Sequence, residues 1–315
     1  MSLVLALACA VSEPAPELQD TGTAESQEPT PYVVVTDEEA EPPLSAEALA
    51  QGVNTAIDAL LRVDPLVFHG AYEGLREAGS DGDCPYYYDS YLESYGQYYW
   101  IDDCESDGGS AFSGNGRSYL THGNSAGSYD YDYQGYFYGS GSITGAAGER
   151  IAAAGYSNSY EAFHTGNSYD YFYHDMWGEF SSSNAGLDDT WLGETWRLDH
   201  TLSANRSPTG GLYISLNSAI SGLSGPVNAA VLEGVVIYDE ARGSPCPSEP
   251  SGVISLRDAQ GRWVELRFDG VPSGGTTMYP PDCDGCGRAW LDGNDIGEVC
   301  PDFSALLDWE ERPWR

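Results

Sequence analysis

Six of the seven cysteines in this 315-residue chain have the spacing of a disulfide set. They are Cys84, Cys104, Cys246, Cys283, Cys286 and Cys300. An even number within one region is expected of three disulfides formed in an oxidising compartment. Proximity along the chain favours Cys84 with Cys104, Cys286 with Cys300, and Cys246 with Cys283. Exchanging Cys283 and Cys286 remains an open alternative.

The same cysteines have two other chemical interpretations. Cys283-x-x-Cys286 together with Cys246 and Cys300 offers four thiols to zinc, but a zinc ribbon needs two close pairs and the sequence has one. No helix is predicted to begin after the Cys-x-x-Cys segment, so nothing there would lower a thiol pKa for redox chemistry. We therefore expect structural disulfides, without a metal or another cofactor.

Carboxylates beside tyrosines are the second group of chemically interesting residues. Asp130 and Asp170 lie in two related segments, SYDYDY at 128–133 and SYDYFY at 168–173. Two facing carboxylates are the machinery of a glycoside hydrolase, yet a chain with 49 acidic residues offers many such pairs by chance. The motifs Gly-x-Ser-x-Gly and His-Glu-x-x-His and a phosphate-binding loop are absent from the sequence. The sequence therefore favours a protein that is not an enzyme.

Tyrosine is unusually abundant, with 23 residues accompanied by 8 tryptophans. Strict alternation in both segments predicts strands with tyrosines on one face and aspartates on the other. We expect the tyrosines to form the buried face, because cross-strand aromatic pairs stabilise a sheet. The alternative is an exposed platform that binds a glycan or a protein, since tyrosine combines apolar area with a polar tip. Its candidate ligand-binding residues are Tyr131, Tyr171, Asp130 and Asp170.

The elements that must position these residues are predicted to be strands. In the segment GVISLRDAQGRWVELRF, apolar residues alternate with polar ones on both sides of a turn that contains Gly261. No helix-length segment separates the strands, so antiparallel pairing is expected. We predict a mainly β domain over residues 80–315, built as an extended, twisted antiparallel sheet. A barrel-like closure of that sheet is the alternative.

A helical pair is predicted at 45–79, before the sheet. Ser45 is a suitable N-cap, and Leu49, Val53 and Ile57 begin an apolar stripe at helical spacing. Asp64-Pro65 breaks this helix, and a second one ends near Gly79. We expect the pair to pack on the sheet, and His69 within it to be a packed or surface residue rather than a ligand.

The seventh cysteine, Cys9, follows a short apolar run in MSLVLALAC and precedes a polar stretch. This pattern resembles the signal of bacterial lipoproteins, which implies cleavage before Cys9, residues 1–8 as signal peptide, and attachment of lipid to Cys9. Ala10 follows the cysteine, which in that family suggests the outer membrane. An ordinary secretory peptide cleaved after Ala10 would instead remove Cys9. Residues 9–44, rich in proline and carboxylates, are then expected to be a disordered tether.

The formal net charge is −36, and all thirteen basic residues are arginine. Scattered single arginines in an acidic background exclude nucleic acid as a plausible partner, because phosphate binding needs clustered cations. The sequence thus predicts an exported lipoprotein, held at the membrane by its lipid, with a structural or adhesive role. A carbohydrate-binding module and a secreted carboxylate-dependent hydrolase are the two alternatives.

Overall fold

A computed structural model describes residues 44–88, 97–123, 131–163, 170–183, 196–206, 212–238, 246, 249–272 and 283–307. In this part of the chain, thirteen strands form one antiparallel sheet. Almost every strand pairs with its neighbours in sequence, as in a long meander. The first and last strands are not paired with one another, so the sheet is open. The predicted fold class is confirmed, and the barrel-like alternative is wrong.

The central strands are long and the outer ones are short. The first seven are β1 Tyr98–Ile101, β2 Cys104–Glu105, β3 Ala111–Gly123, β4 Tyr131–Thr144, β5 Arg150–Phe163, β6 Asp170–Ser183 and β7 Trp196–Arg206. The remaining six are β8 Leu212–Ser221, β9 Val227–Tyr238, β10 Ser251–Asp258, β11 Trp263–Asp269, β12 Gly287–Leu291 and β13 Asn294–Val299. β1 and β2 both pair with β3.

The predicted helical pair is present as α1, Ala46–Arg62, and α2, Pro65–Gly79. The Ser45 hydroxyl accepts a hydrogen bond from the amide of Ala48, as an N-cap does. Asp64 caps α2, which begins at Pro65, where a missing N–H costs nothing. A short third helix, α3, Ser304–Leu307, was not predicted from the sequence.

The hydrophobic core lies between these helices and one face of the sheet. Phe68 of α2 makes edge-to-face contacts with Phe137 and Phe180, with ring centroids 5.4 and 5.2 Å apart. The indole N–H of Trp100 donates a hydrogen bond to the Tyr72 hydroxyl over 3.0 Å. A Cβ atom on Gly116 would lie 2.2 Å from that hydroxyl, so only glycine admits this close approach.

Three disulfides are present, Cys84–Cys104, Cys246–Cys283 and Cys286–Cys300, which is the pairing favoured by proximity. They indicate an oxidising, extracytoplasmic environment. None of the helices in the described ranges has both the length and the apolar character needed to cross a membrane. The leader, including Cys9, lies outside the described residues, as does most of the tether.

Candidate functional site

The two faces of the sheet differ in what covers them. In β6, Phe172, His174 and Met176 point toward the helices and are fully buried. Tyr171, Tyr173 and Trp177 alternate with them and lie on the opposite face, half-buried or exposed. Among the described residues no helix packs on that opposite face. We call it the open face, and its central side chains are Tyr119, Tyr136, Tyr138, Tyr156, Tyr173 and Trp177.

For Tyr171 and Tyr173, this arrangement corrects the expectation that the repeated tyrosines form the core. Tyr171 and Tyr173 are on the open face because Phe172, which stands where the first segment has Asp132, occupies the covered face. Tyr171 therefore lies where the platform alternative requires it to be. The backbones of Tyr131 and Asp170 lie in β4 and β6, opposite Phe163 and Arg206, but their side chains are outside the described part.

Residues Tyr129, Asp130 and Tyr169 fall entirely outside the described ranges, so the role of Asp130 as a candidate ligand-binding residue stays a prediction. The two related tyrosine segments also do not occupy matching positions in the sheet. Tyr133 of β4 lies opposite Glu161 of β5, which in turn lies opposite Phe172 of β6. The residue that corresponds to Tyr133 in the second segment is Tyr173, the next residue along. The two tyrosine segments are therefore not equivalent positions of a structural repeat.

A line of aromatic rings crosses four strands of the open face. Tyr119 and Tyr136 stack with centroids 5.3 Å apart, and Tyr156 meets the edge of Tyr136 at 5.7 Å. Tyr156 then stacks on Trp177 at 6.1 Å, with the ring planes 15° apart. Tyr138, which pairs with Tyr156, is 54% exposed, and Trp177 is 46% exposed. We call Tyr119, Tyr136, Tyr138, Tyr156 and Trp177 the aromatic platform.

Hydrogen-bonding side chains lie directly beside these rings. The register places Tyr136 opposite Asn158, which is in turn opposite Asp175. The carboxylate of Asp175 accepts hydrogen bonds from Thr201, at 3.4 Å, and from Tyr173. The open face thus alternates apolar ring surface with amide, hydroxyl and carboxylate groups over adjacent strands.

The hydroxyls of Tyr156, Tyr171 and Tyr173 stay protonated at physiological pH. Burial, together with the nearby charge of Asp175, raises the pKa of Tyr173 to about 12. Burial is also the largest cause of a raised pKa at Tyr156 and Tyr171. These hydroxyls therefore remain hydrogen-bond donors rather than becoming phenolates.

Two depressions flank the platform on the open face. The smaller one, about 260 Å³, is lined by small side chains such as Ser140 and Ala152 and by Arg150. The larger one, about 640 Å³, extends from Gly178 across Ala219 and Ala229 to Trp263. Glu179 lines both depressions, so they meet beside Trp177.

A band of polar side chains on the covered face was missed in the sequence. His69 lies 3.2 Å from the Ser157 hydroxyl, and His200 lies 2.8 Å from that of Ser218. His174 lies 3.4 Å from Glu161, and both side chains are completely buried. These are the residue types of a hydrolytic triad. They are buried in the packed interior, where polar side chains are usually partnered by one another. His69 is a packed histidine, as expected.

The platform has a sequence signal that was overlooked. In YFYGS and GYSNSY, tyrosines recur at every second or fourth position around Phe137 and Ser157, the buried positions. In YFYGS, the more apolar Phe137 between two tyrosines indicates that the tyrosines face away from the core, whereas GYSNSY carries no such signal. Comparison of the chain with family models, curated proteins and solved structures gives no match.

Proposed function

We propose that this protein is an exported, non-enzymatic adhesion protein that binds glycan chains on its open face. The observation that carries the proposal is the aromatic platform, a run of stacked rings on a face that no described helix covers. The C–H face of a pyranose ring is apolar and packs on aromatic rings, while its hydroxyls need hydrogen-bonding partners. The open face offers both kinds of surface side by side.

The extent and polarity of the platform favour a chain-like, largely neutral ligand. Rings distributed over β3 to β6 can contact several successive sugar units, each of which adds a little binding energy. The strongly negative net charge opposes binding of dense polyanions. The rigid sheet fixes the rings before binding, which reduces the entropy lost on association.

The first test removes one ring at a time from the platform. We expect Trp177→Ala and Tyr156→Ala each to weaken binding to a neutral β-glucan or a similar polysaccharide about tenfold or more, since aromatic stacking contributes about 1–3 kcal/mol. The binding partner is first identified on a glycan array, and the variants are then compared by calorimetry.

Leu120→Ala is the matched control. Leu120 follows Tyr119 in β3 and is 37% exposed, but it lies on the other face of the sheet, opposite Gly135. This variant should bind as the unmodified protein does. Equal loss in all three variants, or no glycan binding by the intact chain, would refute the proposal.

The proposal includes a lipid anchor at Cys9, which would hold the binding domain at the outer membrane on an acidic tether. The support is the likeness of the leader to lipoprotein signals, together with the disulfides, which require export. A single acyl chain gives only weak membrane attachment, so stable anchoring needs the multiple chains of a mature lipoprotein.

The anchor is tested by substitution of the one cysteine that has no place in the disulfide set. When expressed with its leader in a Gram-negative host, the protein should partition into the detergent phase, and Cys9→Ser should move nearly all of it to the aqueous phase. A Ser12→Ala variant should behave like the unmodified protein. Detergent partitioning that survives Cys9→Ser would contradict lipid attachment at this residue.

A further inference from the structure

The larger depression on the open face has a shape set by the register of four strands. Trp263 of β11 pairs with Arg257 of β10, which pairs with Ala229 of β9, and Ala229 pairs with Ser221 of β8. Across these four strands, two large side chains are followed by two small ones. The result is a hollow of about 640 Å³ with a small-residue floor and with Trp263 at one end.

The walls of the hollow carry charges of both signs, and one of its two arginines is available to a ligand. Arg197 forms an ion pair with Glu179 at 2.7 Å on the far side. On the hairpin side, Arg257 is exposed, and among the described residues no carboxylate lies within ion-pair distance of it. This contrasts with Arg262, Arg267 and Arg288 nearby, each of which pairs with an acidic side chain.

The β10–β11 hairpin holds Arg257 and Trp263 in place. The buried carboxylate of Asp258 accepts hydrogen bonds from the backbone and the side chain of Arg262, at 2.8 and 2.7 Å. Gly261 closes the turn with φ of 85°, which favours glycine. The hairpin thereby places Arg257 and Trp263, whose indole is 45% exposed, at paired positions beside the small-residue floor.

These groups match one class of ligand. The indole face of Trp263 suits a flat ring, and the Arg257 guanidinium suits a carboxylate, with which it can form two parallel hydrogen bonds. Asp199 on the opposite wall is exposed and can accept hydrogen bonds from hydroxyls. A pyranose ring that carries a carboxylate satisfies Trp263 and Arg257, which lie on adjacent strands, while Asp199, three strands from Arg257, suits the hydroxyls of a neighbouring sugar unit.

We propose that this hollow binds a uronic acid residue, with its ring on Trp263 and its carboxylate on Arg257. The inference deepens the proposed function and rests on it, because the hollow begins at Gly178, next to Trp177 of the platform. A glycan chain lying on the rings can therefore continue into the hollow. A single acidic residue in a mostly neutral chain also avoids the repulsion that a dense polyanion would meet.

The test compares two oligosaccharides that differ in one group, a neutral gluco-oligosaccharide and the same oligosaccharide with one C6 oxidised to a carboxylate. The intact full-length protein should bind the acidic form at least tenfold more tightly in calorimetry. Arg257→Gln should reduce that preference to about one and leave binding of the neutral form unchanged. Arg62→Gln, an exposed arginine at the end of α1, is the control and should keep the preference.

Methyl glucuronide, a single acidic sugar, tests the hollow separately from the aromatic platform. If this small acid binds in an Arg257-dependent manner while the neutral oligosaccharide does not bind, the hollow is a carboxylate site and the platform proposal fails. If the neutral oligosaccharide binds through Trp177 but the acidic form gains nothing, or Arg257→Gln keeps the gain, the inference about the hollow is overturned. Because Arg257 is exposed, the substitution leaves the fold intact, which circular dichroism verifies.

Discussion

Replacing Phe68 with alanine should lower the free energy of unfolding by about 3–5 kcal/mol, the range measured for large aromatic side chains removed from cores. Phe68 has no exposed surface and joins α2 to the sheet through rings of β4 and β6. Its removal would leave a cavity that Phe137, Phe180 and Tyr72 cannot fill without repacking. Urea unfolding of the disulfide-intact protein, followed by tryptophan fluorescence, measures the change.

Trp177→Ala is the matched comparison from the open face. Trp177 belongs to β6, as Phe180 does, but it is half-exposed and its described ring contact is with Tyr156. Its removal should cost about 1 kcal/mol, the value of one aromatic pair with some lost burial. If the two variants lost similar stability, the division into a covered face and an open face would be wrong. If Trp177→Ala lost glycan binding but little stability, that division would be supported.

The hairpin at β10–β11 shows what sequence alone can predict. Ile254, Leu256, Val264 and Leu266 are unambiguously apolar, and they alternate with charged residues around a glycine turn. The structure buries these four and leaves Arg257 and Arg267 exposed. The helices were predictable for the same reason, because their apolar stripe and caps leave no competing interpretation.

Tyrosine does not carry such a clear signal. Tyr171 alternates with Asp170 and Phe172, and its ring is apolar enough for a core while its hydroxyl suits a surface. Alternation establishes that tyrosines share a face, but the choice of face depends on what competes for the core. Here Phe172 and Met176 are the more apolar residues and occupy it, so the tyrosines are displaced to the open face.

The hollow beside Trp263 could not be predicted from the sequence, because its shape depends on the register between strands. The pairing of Arg257 with Trp263 follows from the hairpin turn, but the floor comes from β8 and β9. The register shifts between Leu216 and Ser218 and between Arg257 and Asp258, and each irregularity changes which residues become neighbours. A one-residue slip would place the opposite face of each strand in the hollow. No local pattern in the sequence specifies those shifts.

The buried histidines predict a steep loss of stability in mild acid. Burial lowers the pKa of His69 to about 3 and that of His200 to about 4, from an ordinary value of 6.5. The unfolded chain therefore binds protons at these sites at a pH where the folded protein does not. Their contribution is fully present above pH 6.5 and is lost as the pH falls toward the folded pKa values. Between pH 7 and pH 5, each histidine should lower the free energy of unfolding by about 2 kcal/mol.

Other ionisable groups near the buried histidines also titrate. The test therefore compares how the free energy of unfolding changes with pH, rather than its value at one pH. The neighbours of His69 include Ser157 and Gly135. Those of His200 include Ser218 and Met176. None of these four residues is charged. Asp64, whose pKa burial raises, opposes the acid loss, whereas Asp258, whose pKa is lowered despite its burial by hydrogen bonds from Arg262, adds to it. These contributions are present in every variant and cancel in a comparison.

His200→Asn retains a group that can hydrogen-bond to Ser218 but does not titrate in this range. Whatever its stability at pH 7, we expect its free energy of unfolding to fall by about 2 kcal/mol less than that of the unmodified protein between pH 7 and pH 5. His69→Gln should show the same reduced slope, and the double variant should lose about twice as much of the pH dependence, because the two sites share no described contact and should act independently. Parallel stability curves for the variant and the unmodified protein would mean that folding does not change the pKa of His200, which its burial against Ser218 and Met176 argues against. Urea titrations at half-unit pH intervals, with the disulfides intact, resolve the two outcomes.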